Sequence, residues 1–196
     1  MADAPPDPIA EFLDALAQAR EKETADATAA TLATGDAAGR PSARVVLLKH
    51  ADPRGFVFYT NYESRKAAQL AANPWAALCF YWTTTGQQVR AEGPVERVSE
   101  EESDTYFASR PRGSQIAAWA SQQSHALPSR AHLVAQVALH EARFAGRAVP
   151  RPDFWGGYRL VPRRMEFWWN RLHRLHDRRL YTRAADGGWA VERLYP

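Results

Sequence analysis

Fixed positive charge and hydrogen-bond donors crowd around small or aromatic residues in two segments. One is Ser109-Arg110-Pro111-Arg112-Gly113-Ser114-Gln115-Ile116 and the other is Arg174-Leu175-His176-Asp177-Arg178. That chemistry suits a phosphorylated, flat, heterocyclic small molecule, because guanidinium groups grip phosphate through paired hydrogen bonds and also stack on ring faces. In the first segment Arg110 lies four residues after Tyr106, on the same face if a helix runs through both, and Ser114 follows a Pro-containing turn. In the second, strand alternation predicts Arg174, His176 and Arg178 on one face and Leu175 and Asp177 on the other. Three cationic or ionisable groups on one face call for an anionic or polar partner. A third segment, Ser64-Arg65-Lys66, opens a predicted helix, where free backbone N–H groups and the positive dipole end attract phosphate. Serine followed by two basic residues is also an ordinary solvated helix start.

Other chemistries fit less well. His173 and His176 fall on opposite faces of a strand and no cysteine or placed carboxylate completes a set, so no metal is expected. No serine, histidine and acid are spaced for nucleophilic catalysis. Of the 25 basic residues 22 are Arg, and Lys22, Lys49 and Lys66 are the only lysines. The arginines between 143 and 183 are interleaved with Trp, Leu and Phe in strand-like segments rather than laid along a helix face, which argues against nucleic acid. Trp168 sits between Phe167 and Trp169, so a core role competes with a ligand role there.

The elements that must position these residues are legible from period and punctuation. Residues 8–23 predict an amphipathic helix with Ile9, Phe12, Leu13 and Leu16 on one side and Pro8 in its first turn. Strands are predicted over 28–34, 42–50, 56–61, 75–82 and 88–98, separated by turn residues such as Gly35-Asp36 and Asp52-Pro53-Arg54-Gly55. Ser64 is the expected N-cap of a helix to Ala72, and Ser99-Glu100-Glu101-Glu102 reads as a capping box. Helices follow over 114–120 and 129–144, then strands over 158–169, 174–183 and 189–195 with an Asp186-Gly187-Gly188 hairpin turn. Many antiparallel strands with marginal helices indicate an α+β protein whose sheet curls into a barrel.

At 196 residues, 45% hydrophobic and 24% charged, the chain reads as one ordinary globular domain over 1–196, with 1–7 unstructured and the C-terminal strands of 158–196 carrying the second segment. No apolar run suits a membrane and the start lacks a secretory pattern. A single cysteine, Cys79, in an apolar run predicts a small buried thiol and fits a reducing cytoplasm.

Together with Arg44-Val45-Val46-Leu47-Leu48-Lys49 and Tyr59-Thr60-Asn61-Tyr62-Glu63-Ser64-Arg65-Lys66, the two opening segments resemble the pyridoxamine 5'-phosphate oxidase family, from about Pro8 to Pro196. The resemblance implies the FMN-binding split β-barrel, an antiparallel six-stranded Greek-key barrel with peripheral helices that works as a homodimer. It implies FMN lined by Arg44, Val45, Val46, Leu47, Leu48, Lys49, Tyr59, Thr60, Arg65, Lys66, Gln88, Gln123, Ser124, Trp168 and Arg178, with Arg44 toward the phosphate end. It places Lys49, Tyr106, Arg110 and Ser114 around the substrate phosphate, and Arg174, Leu175 and His176 against the substrate ring, Arg174 and His176 being the catalytic pair. The implied activity is oxidation of pyridoxamine or pyridoxine 5'-phosphate to pyridoxal 5'-phosphate by O2, giving H2O2 and, from the amine, ammonia. Neither nucleic acid nor membrane is an implied partner. A phenazine-precursor oxidase of the same barrel, or a non-enzymatic flavin or vitamer carrier, is the rival reading. Trp169-Asn170 stands where the family has Gln-Gly.

Overall fold

The computed structural model describes residues 7–196. The expectation of an unstructured start over 1–7 falls on residues outside that range except at Asp7, whose carboxylate caps helix α1 (Pro8–Lys22) by accepting from the Ile9 N–H at 3.0 Å. The buried stripe of α1 carries Ile9, Phe12, Ala15, Leu16 and Ala19, and Phe12 packs edge-on against Phe56 at 4.8 Å and against Phe80 at 4.9 Å. This helix therefore presses its apolar side into the main core.

Ten antiparallel strands follow: β1 (Ala29–Gly35), β2 (Pro41–Leu47), β3 (His50–Asp52), β4 (Gly55–Asn61), β5 (Trp75–Trp82), β6 (Gln87–Arg97), β7 (Trp155–Leu160), β8 (Arg164–Trp169), β9 (Asp177–Arg183) and β10 (Trp189–Arg193). β1 pairs with β2 and β5, β5 with β6, β6 with β7, β7 with β4, and β4 with β3. Only Leu48 and Lys49 separate β2 from β3, so these pairings close a ring of six strand courses, the barrel that the resemblance implies. β8, β9 and β10 extend from the other half of β6 as a wing. Helices α2 (Arg65–Ala72), α3 (Glu100–Ser109), α4 (Arg112–Ala120) and α5 (Arg130–Arg143) lie outside the ring, and the capping box at Ser99 and Glu102 is formed.

Three expected elements are corrected. The single strand over 158–169 is two, broken at Val161-Pro162-Arg163. There the chain bends across β6, with Val161 N–H donating to the Pro94 carbonyl and Arg163 N–H to the Glu92 carbonyl, each at 2.8 Å. Gly93 makes the crossing possible, because a Cβ there would lie 2.0 Å from the Val161 carbonyl oxygen. The strand over 42–50 likewise divides into β2 and β3. The strand expected from Arg174 begins only at Asp177, since His173 (φ 56°) and Arg174 (φ 60°) are left-handed and close a 3-10 turn over Leu172–Arg174. That conformation is incompatible with a strand, so the shared face drawn for Arg174, His176 and Arg178 does not form. Helix α3 also stops at Ser109, leaving Arg110 extended before Pro111, as a residue preceding proline favours.

Candidate active site

Strand β2 alternates with its odd-numbered residues outward: Val45 is 66% and Leu47 39% exposed. With Val46 and Lys49 they form one wall of a cavity of about 390 Å³, whose other walls include Tyr59 and Thr60 of β4, Lys66 of α2, Tyr106 and Arg110 at the end of α3, and Gln123. Aromatic rings floor it. Tyr59 stacks on Tyr106 at 4.0 Å and on Trp155 at 5.4 Å, and the Arg110 guanidinium lies 4.6 Å over Trp155.

The cations here are short of partners. Arg110 Nη1 is buried without a hydrogen-bond acceptor, and burial lowers the guanidinium's affinity for its proton. A buried donor left unmade costs about 1–3 kcal/mol, so the cavity is built for an acceptor that the chain does not provide. Lys66 Nζ donates to Thr60 Oγ1 at 3.0 Å and to Gln123 Oε1 at 2.7 Å, with no carboxylate among these contacts. Burial, joined by the positive charge of Arg44, brings its ammonium pKa down to about 8. Ser64 precedes α2 as expected but its side chain makes no cap, so it leaves the N–H groups of the first turn open beside Lys66.

Not every expected residue reaches this cavity. Arg44 turns inward, donating to Thr34 Oγ1 at 2.6 Å, Gln69 Oε1 at 3.1 Å and Ser42, and acts on Lys66 and Arg65 through its charge. Leu48 is core, 5% exposed, and Arg65 is exposed. Ser114 is half-buried in the first turn of α4 and Ser124 is left-handed at φ 75°; neither lines the wall. Of the four residues expected around a substrate phosphate, Lys49, Tyr106 and Arg110 line the cavity and Ser114 does not.

The remaining candidates assemble on the wing. Gln88 of β6 pairs across to Trp168 of β8, which pairs with Arg178 of β9. The His176 ring lies 4.5 Å from Trp168, and its Nδ1 accepts the Arg171 N–H at 3.2 Å, so the neutral ring carries its proton on Nε2. Arg174 and Leu175 are exposed, Leu175 at 68%. None of these residues lines the 390 Å³ cavity, so the chain presents two partial sites. Sequence reading missed Trp155, whose place opposite Asn61 depends on the β4–β7 pairing, and Glu166, the buried acid bonded to Arg178 at 2.7 Å. It also put Cys79 in the core, whereas the thiol is half-buried on the outer side of β5, where burial raises its pKa. Among the described residues no group of three or more His, Cys, Asp or Glu could hold a metal ion, and no helix is long and apolar enough to cross a membrane.

Residues 16–144 match the family model described as pyridoxamine 5'-phosphate oxidase, and residues 155–196 match that of the pyridoxine 5'-phosphate oxidase C-terminal dimerisation region. The chain is 57% identical to a pyridoxine/pyridoxamine 5'-phosphate oxidase of Anaeromyxobacter dehalogenans, over 98% of this chain and 97% of that one. It is 55% identical to one of Myxococcus xanthus, over 98% and 93%. Among solved structures, PhzG from Burkholderia lata 383 in complex with tetrahydrophenazine-1-carboxylic acid superposes with a TM-score of 0.92 at 36% identity, covering 99% of this chain and 95% of that one. A pyridoxamine 5'-phosphate oxidase-related, FMN binding protein from Nostoc punctiforme shares the fold, with a TM-score of 0.77 at 19% identity over 95% and 96%. By its family model and by relatives identical over more than half of their residues, the chain belongs to the pyridoxamine 5'-phosphate oxidase family.

Proposed function

We propose that this chain oxidises pyridoxamine 5'-phosphate or pyridoxine 5'-phosphate to pyridoxal 5'-phosphate, as a cytoplasmic homodimer with FMN as cofactor and O2 as acceptor. The observation that carries the reading is Arg110, a half-buried guanidinium whose buried Nη1 donor is unmet, over an aromatic floor and flanked by Lys49 and Tyr106. A phosphate ester on a flat heterocycle satisfies both features.

The residues present fit FMN. Lys66, the open first turn of α2 and Arg65 suit its phosphate, the exposed edge of β2 offers backbone groups, and Trp168 offers a flat apolar face. When bound, FMN would supply the redox chemistry, as hydride acceptor for oxidation at the substrate's 4' carbon and as the two-electron donor that converts dioxygen to hydrogen peroxide. The protein's part is positioning. Lys49, Tyr106 and Arg110 hold the substrate phosphate, so that binding energy from this remote group fixes the ring. His176 directs its Nε2–H to the oxygen substituent of the ring, and Arg174 orients the ring. The two partial sites on one chain suit a dimer in which the cavity of one protomer meets the wing of its partner, in keeping with the match of 155–196 to a dimerisation region.

A phenazine-precursor oxidase is the second reading, favoured by the 36% identity to PhzG. The phosphate cradle and the relatives at 55% and 57% identity weigh against it. The purified protein should be yellow, and pyridoxine 5'-phosphate added without air should bleach the flavin band until oxygen is admitted. A colourless protein that takes up no added FMN would refute the reading.

A further inference from the structure

Glu166 is the one buried carboxylate among the described residues, at 4% exposure, yet its side chain points to the outer face of β8 rather than into the core. It stands across from Arg90 and two residues from Trp168. Its oxygens are divided between two arginines: Oε1 accepts from Arg178 Nε at 2.7 Å and Oε2 from Arg90 Nη2 at 2.5 Å. Burial raises its pKa, but the Arg178 bond and the two positive charges outweigh that and hold it below the usual carboxylate value. The acid lies beneath and the cations above, with Arg178 at 27% and Arg90 at 40% side-chain exposure. Arg178 is tied a second time, Nη1 to the Tyr195 carbonyl at 2.9 Å, which leaves Nη2 as its outward donor. Apolar residues would stabilise the wing as well as a buried ion pair does, so stability alone gives no reason for an acid at this point.

We propose that Glu166 is a positioning residue that clamps Arg178 and Arg90 into one rigid platform beside Trp168, presetting the donors that Arg178 offers to bound FMN. The inference rests on the reading of Trp168 and Arg178 as flavin contacts. A carboxamide at this position keeps the shape but turns an N–H against a guanidinium donor, so one of the two bonds is lost.

The test is a double-mutant cycle on FMN dissociation constants, read by flavin fluorescence, with E166Q, Arg178→Met and the pair. E166Q is expected to weaken FMN roughly tenfold, as loss of a charge-assisted bond does. It should weaken FMN less than twofold further in the Arg178→Met background, because the two act as one unit. At saturating FMN the KM for pyridoxine 5'-phosphate should stay within about twofold, a split that general loosening of the fold does not produce. Equal losses in both backgrounds, or wild-type affinity in E166Q, overturn the inference and leave the functional reading standing. A wild type that takes up no FMN sinks both. If E166Q fails to fold, Arg90→Lys tests the platform with Glu166 still charged. A roughly threefold weaker FMN affinity is then expected, and wild-type affinity overturns the inference.

Discussion

Replacing Arg110 with methionine separates phosphate recognition from everything else the cavity does. Methionine keeps the apolar stem over Trp155, 4.6 Å from the guanidinium it replaces, and removes only the charge and its donors. A charge-assisted bond to the substrate dianion contributes about 1.5–3 kcal/mol, so kcat/KM for pyridoxine 5'-phosphate should fall about 10- to 150-fold. The free protein should not suffer. The unmet Nη1 donor costs about 1–3 kcal/mol, and the lost cation–π contact gives back about 0.5–2 kcal/mol. Ligand-free Tm should therefore hold or rise by a few degrees. Initial-rate oxygen uptake with pyridoxine 5'-phosphate and with unphosphorylated pyridoxine is the assay. Pyridoxine, expected to be a poor substrate because it lacks the phosphate, should lose less than about twofold, since the deleted group has nothing to bind in it. Equal losses toward both substrates, or a clear fall in ligand-free Tm, would refute the assignment of Arg110 to the phosphate.

Arg174→Ala and His176→Ala should lower turnover more than FMN affinity, seen in stopped-flow flavin reduction under nitrogen. Mixing equal amounts of an inactive Arg110 variant and an inactive Arg174 variant should restore about a quarter of wild-type activity if each site draws on both protomers, because half of the dimers then carry one intact site; no recovery would place a whole site in one chain. Lys66 is held at about 8 in the folded chain. Its folded pKa lies below the unfolded one, so its unfavourable effect on folding is full below about pH 8 and lifts as pH rises toward the unfolded value. FMN affinity should fall as pH passes 8 in the wild type but not in Lys66→Met, read by fluorescence titration. Burial raises the carboxyl of Asp52, but bonds from Arg54 and the charges of Arg159 and Arg54 pull it to about 2. Its stabilising contribution is full above the ordinary carboxylate pKa and is lost as pH falls through about 2. Arg159→Met removes the buried cation that Asp52 and Glu102 share and leaves them only Arg54, so it should cost about 1.5–3 kcal/mol at neutral pH in urea melts.

The barrel's hairpins were legible because Gly, Asp and Pro punctuate alternating apolar runs, and α1 because Ile9, Phe12 and Leu16 repeat at helical spacing. The turn at Leu172–Arg174 was not, because His and Arg carry no local sign of a left-handed backbone; neighbouring structure imposes it. The break at Val161-Pro162-Arg163 was hidden for a related reason: it answers to Gly93, far away in sequence, on the strand it crosses. Within the site, alternation on β2 separates outward Val45 and Leu47 from inward Arg44, but which inward partners take up Arg44 depends on α2 docking through Gln69. The division of the candidates between cavity and wing was beyond reach, since spacing along one chain carries no information about which copy completes a site.

Gly93 also bears on how a mutational map of this protein would read. It touches no residue of either partial site, yet any side chain there collides with the Val161 carbonyl and forces barrel and wing apart where they share β6. In a growth selection, Gly93 would score as intolerant as Arg110 or Lys66, and a ranking by fitness alone would file it with the ligand contacts. Protein abundance separates them. Gly93 variants should vanish from the soluble fraction, whereas Arg110 variants should accumulate folded and idle.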